Sequence, residues 1–177
     1  MGEQFSVHAP SRAYNLLRMT RKLPHIQRDA TPHFITFNTH ERLILPDACR
    51  DIVLDSCRHD HMRTMELHVV VVMPDHVHLV LTPGINEDRQ RVYVLSEIMW
   101  AIKSASAHRI NKSLRRSGSI WQQEYFDHAI RRSESLEEKI RYVRQNPVRT
   151  GLIAKAEDYR WLWQSPRTRA SAALNFW

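Results

Sequence analysis

The chain has 177 residues, with 26 Lys and Arg against 19 Asp and Glu and a formal net charge of +7. A composition of 42% hydrophobic and 25% charged residues supplies a core and excludes wholesale disorder. The longest apolar run, Val69 to Met73, stops at Pro74 and Asp75, far short of a membrane span.

A sequence pI near 9.8 favours a polyanionic partner, nucleic acid first among them. The two cysteines, Cys49 and Cys57, cannot build a disulfide framework, and their spacing suits one amphipathic helix in a reducing, cytoplasmic setting.

In chain order, residues 1–31 read as a basic arm without a clear period, carrying Arg18, Arg21 and Lys22 and punctuated by Pro10 and Pro24. A single domain is expected over 32–164, followed by a tail at 165–177. Phe34-Ile35-Thr36-Phe37 is β-branched and aromatic, a short strand. Pro46 and Asp47 open a helix that runs toward His61, with Ile52, Val53 and Leu54 among its apolar positions. Leu67 to Met73 has the Val-rich continuity of a buried strand. Pro74-Asp75 turns the chain, and Val77 to Leu81 returns as the second strand of a hairpin.

After Pro83-Gly84 a long helix is predicted over Arg91 to Leu114, with Leu95, Ile98, Met99, Ile102 and Ala105 on its buried face. Lys103, Arg109 and Lys112 fall mostly off that face, and Arg115-Arg116 close it in a basic turn. A strand is expected around Tyr125 to Ile130. A last helix begins near Ser135, whose spacing to Glu138 suits a capping box, and is predicted to end at Asn146 before Pro147. The order β, α, β-hairpin, α, β, α implies an α+β sandwich, an antiparallel sheet with packed helices.

Two His-x-His pairs occur, His59/His61 and His76/His78. Residues two apart share a face on a strand but lie about 200° apart round a helix. His76 and His78 can therefore grip one cation, whereas His59 and His61, at a helix end, are read as exposed. Two imidazoles on one face of an apolar hairpin are costly without a partner. A histidine-triad hydrolase would need a third His at Val80, and a zinc deaminase would need His-x-Glu and Pro-Cys-x-x-Cys; none of these is present. On the last helix Leu136, Ile140 and Val143 form a buried stripe, and Tyr142 and Asn146, four residues apart, share its border.

Met73-Pro74-Asp75-His76-Val77-His78-Leu79-Val80, Ile120-Trp121-Gln122-Gln123-Glu124-Tyr125-Phe126-Asp127-His128 and Arg141-Tyr142-Val143-Arg144-Gln145-Asn146-Pro147-Val148-Arg149-Thr150-Gly151-Leu152 together resemble the single-tyrosine HUH transposases. The resemblance is strongest to their branch of bacterial proteins associated with repetitive extragenic palindromes (REP). It covers about residues 22–163, with Arg21-Lys22-Leu23-Pro24-His25 and Tyr159-Arg160-Trp161 contributing.

The resemblance implies a ferredoxin-like sheet of HUH endonuclease type. It implies that His76 and His78 bind Mg²⁺ or Mn²⁺ with Asn146, where the family often carries Gln, and that Tyr142 is the nucleophile. The reaction implied is cleavage of single-stranded DNA beside a palindromic hairpin through a 5′-phosphotyrosine, by a monomer or homodimer at work on the bacterial nucleoid. A phenol titrates at about pH 10, so a metal suits such a nucleophile. Lys103, Arg109, Lys112, Arg115, Arg116, Arg21 and Lys22 are candidate phosphate contacts, and Trp121 and Phe126 are candidate base-stacking residues, with a place in the core as the alternative for each. The alternatives are a non-cleaving DNA-binding protein on the same fold and a metal-dependent RNA or nucleotide hydrolase.

Overall fold

The computed structural model describes residues 30–169 apart from 89, 132 and 133. Most of the N-terminal arm, including Arg21 and Lys22, lies outside the described residues.

Strand β1 (His33–Asn38) leads through a turn to helix α1 (Asp47–Arg58), then to strands β2 (Met65–Val72) and β3 (His76–Pro83). A small ribbon of β4 (Ile85–Asn86) and β5 (Arg91–Val92) precedes helix α2 (Leu95–Ser113). Strand β6 (Phe126–Ala129), helix α3 (Leu136–Arg149) and strand β7 (Leu162–Gln164) complete the chain order. The main sheet is antiparallel with strand order β6-β1-β3-β2-β7. Its first four strands have the ferredoxin-like order, and β7 extends the far edge.

The hydrophobic patterning explains which face each helix covers. Ile35 and Phe37 point to one face of β1 and are fully buried; Phe37 meets Trp121 edge to face at 4.8 Å, and the Trp121 indole N–H donates to Ser106 of α2. Helix α1 packs on α2 and β2 and buries Cys49, Val53 and Cys57, four residues apart. Burial pushes the Cys57 thiol up to about 12, which marks it as a core residue. Helix α3 packs on β2 and β3 from the opposite face, where Phe34, Thr36 and His78 point.

Several boundaries differ from the sequence reading. Helix α2 starts at Leu95 rather than Arg91, because Arg91 and Val92 pair with Asn86 and Ile85 and Val94 is still extended. Its buried face is Ile98, Met99, Ile102, Ser106 and Ile110; Ala105 is exposed. Helix α3 does not end at Asn146 but continues through Pro147 to Arg149. Pro147 removes one N–H donor near the end of the helix. The last carbonyls are recovered by Thr150, by Gly151 N–H on Val148 and by Leu152 N–H on Pro147, a Schellman closure with Gly151 at φ +73°. At the other end the Ser135 hydroxyl accepts the Glu138 N–H, as the capping spacing predicts.

His61 is half-buried rather than exposed: its Nδ1 accepts the Leu67 N–H and its ring meets Trp163. Strand β7 had no counterpart among the predicted elements. It is held against β2 by Trp161 and by Tyr159, whose hydroxyl donates to the Val72 carbonyl, while the Trp161 N–H donates to Asp51 of α1.

Candidate active site

The Pro74-Asp75 turn places the histidines. Met73 N–H bonds the His76 carbonyl across the two-residue loop, and Leu45 N–H bonds the Pro74 carbonyl. The Thr39 N–H and hydroxyl both donate to the Asp75 carbonyl. The start of β3 is thereby fixed against the end of β1.

His76 and His78 lie on the same face of β3 with ring centroids 4.7 Å apart. Each has its Nδ1 engaged. His76 Nδ1 lies 2.6 Å from Asp75 Oδ1, and His78 Nδ1 lies 2.7 Å from the Thr36 hydroxyl, the residue directly opposite on β1. With the proton on Nδ1, each ring keeps its Nε2 lone pair for a cation, the usual arrangement behind a ligating histidine. Arg42 extends this support, with its guanidinium 3.6 Å from Asp75 Oδ2. His78 is 8% exposed; burial, reinforced by His76, lowers it to about 4, so it is a neutral donor at physiological pH.

Tyr142 is brought onto this pair. Its ring centroid lies 6.1 Å from that of His78 and 5.7 Å, edge to face, from that of Phe34, which itself stacks on His78. Phe34 therefore supports both rings. Tyr142 remains 40% exposed and open to a substrate.

Helix α3 runs antiparallel to β3. Leu136 and Ile140 line a cleft with Glu66 and His68, at the Thr82 end of β3, and Tyr142 comes later over His78. One further turn carries Asn146 toward the His76 end, buried on the sheet side of the helix. Its side-chain amide has no hydrogen-bond partner among the described residues, so it is free to offer an oxygen. No group of three His, Cys, Asp or Glu side chains suited to a metal occurs among the described residues. A metal centre here would rest on the two imidazoles and an amide.

The predicted DNA contacts divide. Lys112, Arg115 and Arg116 are exposed at the end of α2, with no carboxylate partner among the described residues. Lys103 is committed elsewhere: its ammonium donates to the Gln122 and Gln123 carbonyls at 2.8 and 2.7 Å. Burial lowers its pKa, partly offset by Glu124. Arg109 reaches Ser56 and Asp55 of α1 and ties the two helices together. Trp121 does not fit a stacking role, because only 7% of it is exposed and its N–H is engaged inside the core. Phe126 is the exposed aromatic instead, 58% open on the edge strand. The register puts it in one cross-strand row with Thr36 and His78, on the same face as Tyr142.

Sequence reasoning also passed over Arg149, whose guanidinium lies 5.1 Å over the Tyr142 ring. The signal was available as i to i+7 spacing, but the predicted end of the helix at Asn146 hid it.

A ferredoxin-like sheet that presents paired histidines from its central strand to a tyrosine on a packed helix defines the HUH fold class. The family model described as "Transposase IS200 like" matches residues 27–146, and the chain belongs to that family. It is 27% identical over 97 residues to the REP-associated tyrosine transposase of Escherichia coli, covering 55% of this chain and 53% of that one. It is 25% identical over 114 residues to a Haemophilus influenzae protein assigned to the same group, covering 62% of this chain and 63% of that protein. The matches thus span less than two thirds of those relatives' length. Among solved structures, a REP-associated tyrosine transposase bound to a REP hairpin has the same fold, with a TM-score of 0.63 at 21% identity over 84% of this chain and 83% of that one. Among the described residues no helix is long and apolar enough to cross a membrane.

Proposed function

We propose that this protein is a metal-dependent single-stranded DNA endonuclease and strand transferase that binds a palindromic hairpin and cleaves beside it through Tyr142. The observation that carries the reading is the exposed Tyr142 ring set over the buried His78, with His76 alongside and neither Nε2 atom hydrogen-bonded among the described residues. The relative solved with a REP hairpin supports the choice of DNA.

The donor set suits a divalent cation, which His76, His78 and the Asn146 amide would hold. Two imidazole nitrogens favour Mn²⁺ over Mg²⁺ by ligand type. Such an ion would supply Lewis-acid polarisation of the phosphodiester.

The chain's own residues do the rest. The Tyr142 oxygen attacks phosphorus and forms the new P–O bond; the P–O3′ bond breaks, and the 3′ oxygen takes up a proton. No side chain is hydrogen-bonded to the Tyr142 hydroxyl among the described residues; in the proposed step its proton passes to water. The 5′-phosphotyrosine conserves the phosphodiester energy, and the free 3′-OH can reverse the step. Thr36 and Asp75 keep the imidazoles in the tautomer that can ligate. Phe126 offers an exposed ring for a base near the cleaved position.

An oligonucleotide carrying a hairpin and a single-stranded flank, incubated with Mn²⁺, tests this. The parent should form a covalent adduct and Tyr142→Phe none, while His76→Ala and His78→Ala should lose cleavage and keep hairpin binding. Cleavage by Tyr142→Phe at the parental rate would remove Tyr142 from the reaction. A parent that binds the hairpin but yields no adduct with any divalent ion would instead be a binding protein.

A further inference from the structure

Beyond the histidine–tyrosine pair, the outer face of α3 forms an open groove of about 500 Å³ lined by Glu138, Arg141, Tyr142, Gln145 and Arg149. Two of its residues are cations. Neither Arg141 nor Arg149 has a carboxylate partner among the described residues, unlike Arg50, Arg109 and Arg160, which lie against Asp47, Asp55 and Asp51.

Helical geometry accounts for the place of Arg149. Seven residues after Tyr142 it projects within about 20° of the same direction and about 10 Å further along the axis. Side chains on a helix lean toward its N-terminus, which folds the guanidinium back over the tyrosine ring. The arrangement requires α3 to remain helical past Pro147, and the closure at Thr150 and Gly151 secures that last turn.

We propose that this groove is the channel for the single-stranded phosphodiester backbone, with Arg149 gripping the phosphate that Tyr142 attacks and Arg141 a neighbouring phosphate. The proposal rests on the reading of Tyr142 as nucleophile and adds a charge-bearing group to it. The planar guanidinium fork matches two non-bridging phosphate oxygens, and negative charge that builds there during attack meets a fixed cation. Its position over the ring face keeps it beside the nucleophile without a bond to the hydroxyl, which leaves the oxygen free to attack.

The test measures single-turnover adduct formation at saturating Mn²⁺ and DNA. Arg149→Ala should slow it by about 10²-fold, the usual effect of deleting one preorganised donor. Arg149→Lys keeps a cation at the helix end but lacks the fork and should recover only a small part; millimolar guanidinium should partly restore Arg149→Ala. Rates for Arg149→Ala within about threefold of the parent would overturn the phosphate-gripping role, and full recovery by Arg149→Lys would overturn the bidentate fork.

A second arm uses Tyr142→Phe protein, which cannot form the adduct. Adding Arg149→Ala should reduce the slope of log K against log salt for a single-stranded oligonucleotide by about 0.7, one phosphate contact. An unchanged slope and affinity would refute the channel. If the parent forms no adduct at all, the nucleophile reading fails, and this binding arm still decides whether the groove holds DNA.

Discussion

Replacing Trp121 separates a core role from a DNA-binding one. The indole is almost fully buried, meets Phe37 edge to face and donates to the Ser106 hydroxyl at 3.0 Å; that hydroxyl in turn donates to the Ile102 carbonyl at 2.7 Å. Trp121→Phe keeps most of the packing and deletes one buried hydrogen bond, a loss of about 1 kcal/mol. Ser106→Ala strands the indole N–H in the core and should lose about 1–3 kcal/mol. Because both changes break the same bond, the double variant should be more stable than the sum of the singles predicts by about 1 kcal/mol. Trp121→Ala removes the ring and should cost about 3–5 kcal/mol. Urea unfolding followed by far-ultraviolet circular dichroism gives these values, and fluorescence anisotropy gives the affinity for a labelled single strand. Trp121→Phe should bind the strand as the parent does. A variant with parental stability and tenfold weaker binding would refute the core assignment and return Trp121 to the DNA surface.

Phe126→Ala should behave in the opposite way: unfolding unchanged within about 0.5 kcal/mol, since the ring is exposed, and single-strand affinity lowered by about 1–3 kcal/mol. Equal binding by parent and variant would remove the stacking role. Lys103→Met loses two charge-assisted bonds to the 122–123 backbone and should destabilise by about 2 kcal/mol while leaving the salt dependence of hairpin binding unchanged. A reduced salt slope would make Lys103 a phosphate contact after all. In metal-free buffer, burial and then His76 hold His78 at about 4 against an ordinary 6.5, so the unfolded chain takes up its proton first as pH falls. Stability should be fully present above about pH 6.5 and decline by about 3 kcal/mol toward pH 4. Urea midpoints at pH 7 and 4.5 should show this fall in the parent and a smaller one in His78→Gln; equal falls would contradict the assignment.

What the sequence made legible was whatever short-range chemistry decides. The Val run and Pro74-Asp75 specify the β2–β3 hairpin, the spacing of Cys49, Val53 and Cys57 fits the face that α1 buries, and Ser135 caps α3. With these in place, His76 and His78 fall on one strand face and Tyr142 and Asn146 on one helix border, while the roles expected of Tyr142 and Asn146 came from the family resemblance. What stayed hidden depends on partners distant in the chain. Leu162 to Gln164 are too few to read as a strand, and they pair only because β2 offers an open edge and Tyr159 and Trp161 dock on Val72 and Asp51. Arg91 and Val92 extend because Ile85 and Asn86 meet them. The rule that a helix stops before proline failed at Pro147, where a closure four residues later satisfies the last carbonyls of the helix, those of Asn146, Pro147 and Val148. Aromatic exposure was equally hidden: Trp121 and Phe126 are five residues apart in an irregular stretch and an edge strand, where no period separates inside from outside.

Part of the positive charge behind the net +7 is already committed inside the fold. Arg50 lies over the Trp161 ring and beside Asp47, Arg160 meets Asp51, Arg109 meets Asp55, and Lys103 clamps backbone carbonyls. Among the described residues, two groups of cations without a carboxylate partner lie on the helices that cover the sheet. Lys112, Arg115 and Arg116 close α2, which covers one face of the sheet; Arg141 and Arg149 flank Tyr142 on α3, which covers the other. The two helix layers are about 20 Å apart, at about 10 Å per packed layer. Bending a short duplex by about 40–90° round a body of that size costs about 1–6 kcal/mol, whereas a single strand follows it at little cost. If both groups contact one DNA molecule, a flexible single-stranded stretch next to any paired stem avoids that cost. This suits the form of substrate proposed here, a hairpin with a single-stranded flank, and the match rests on where these cations lie rather than on the chemistry at Tyr142.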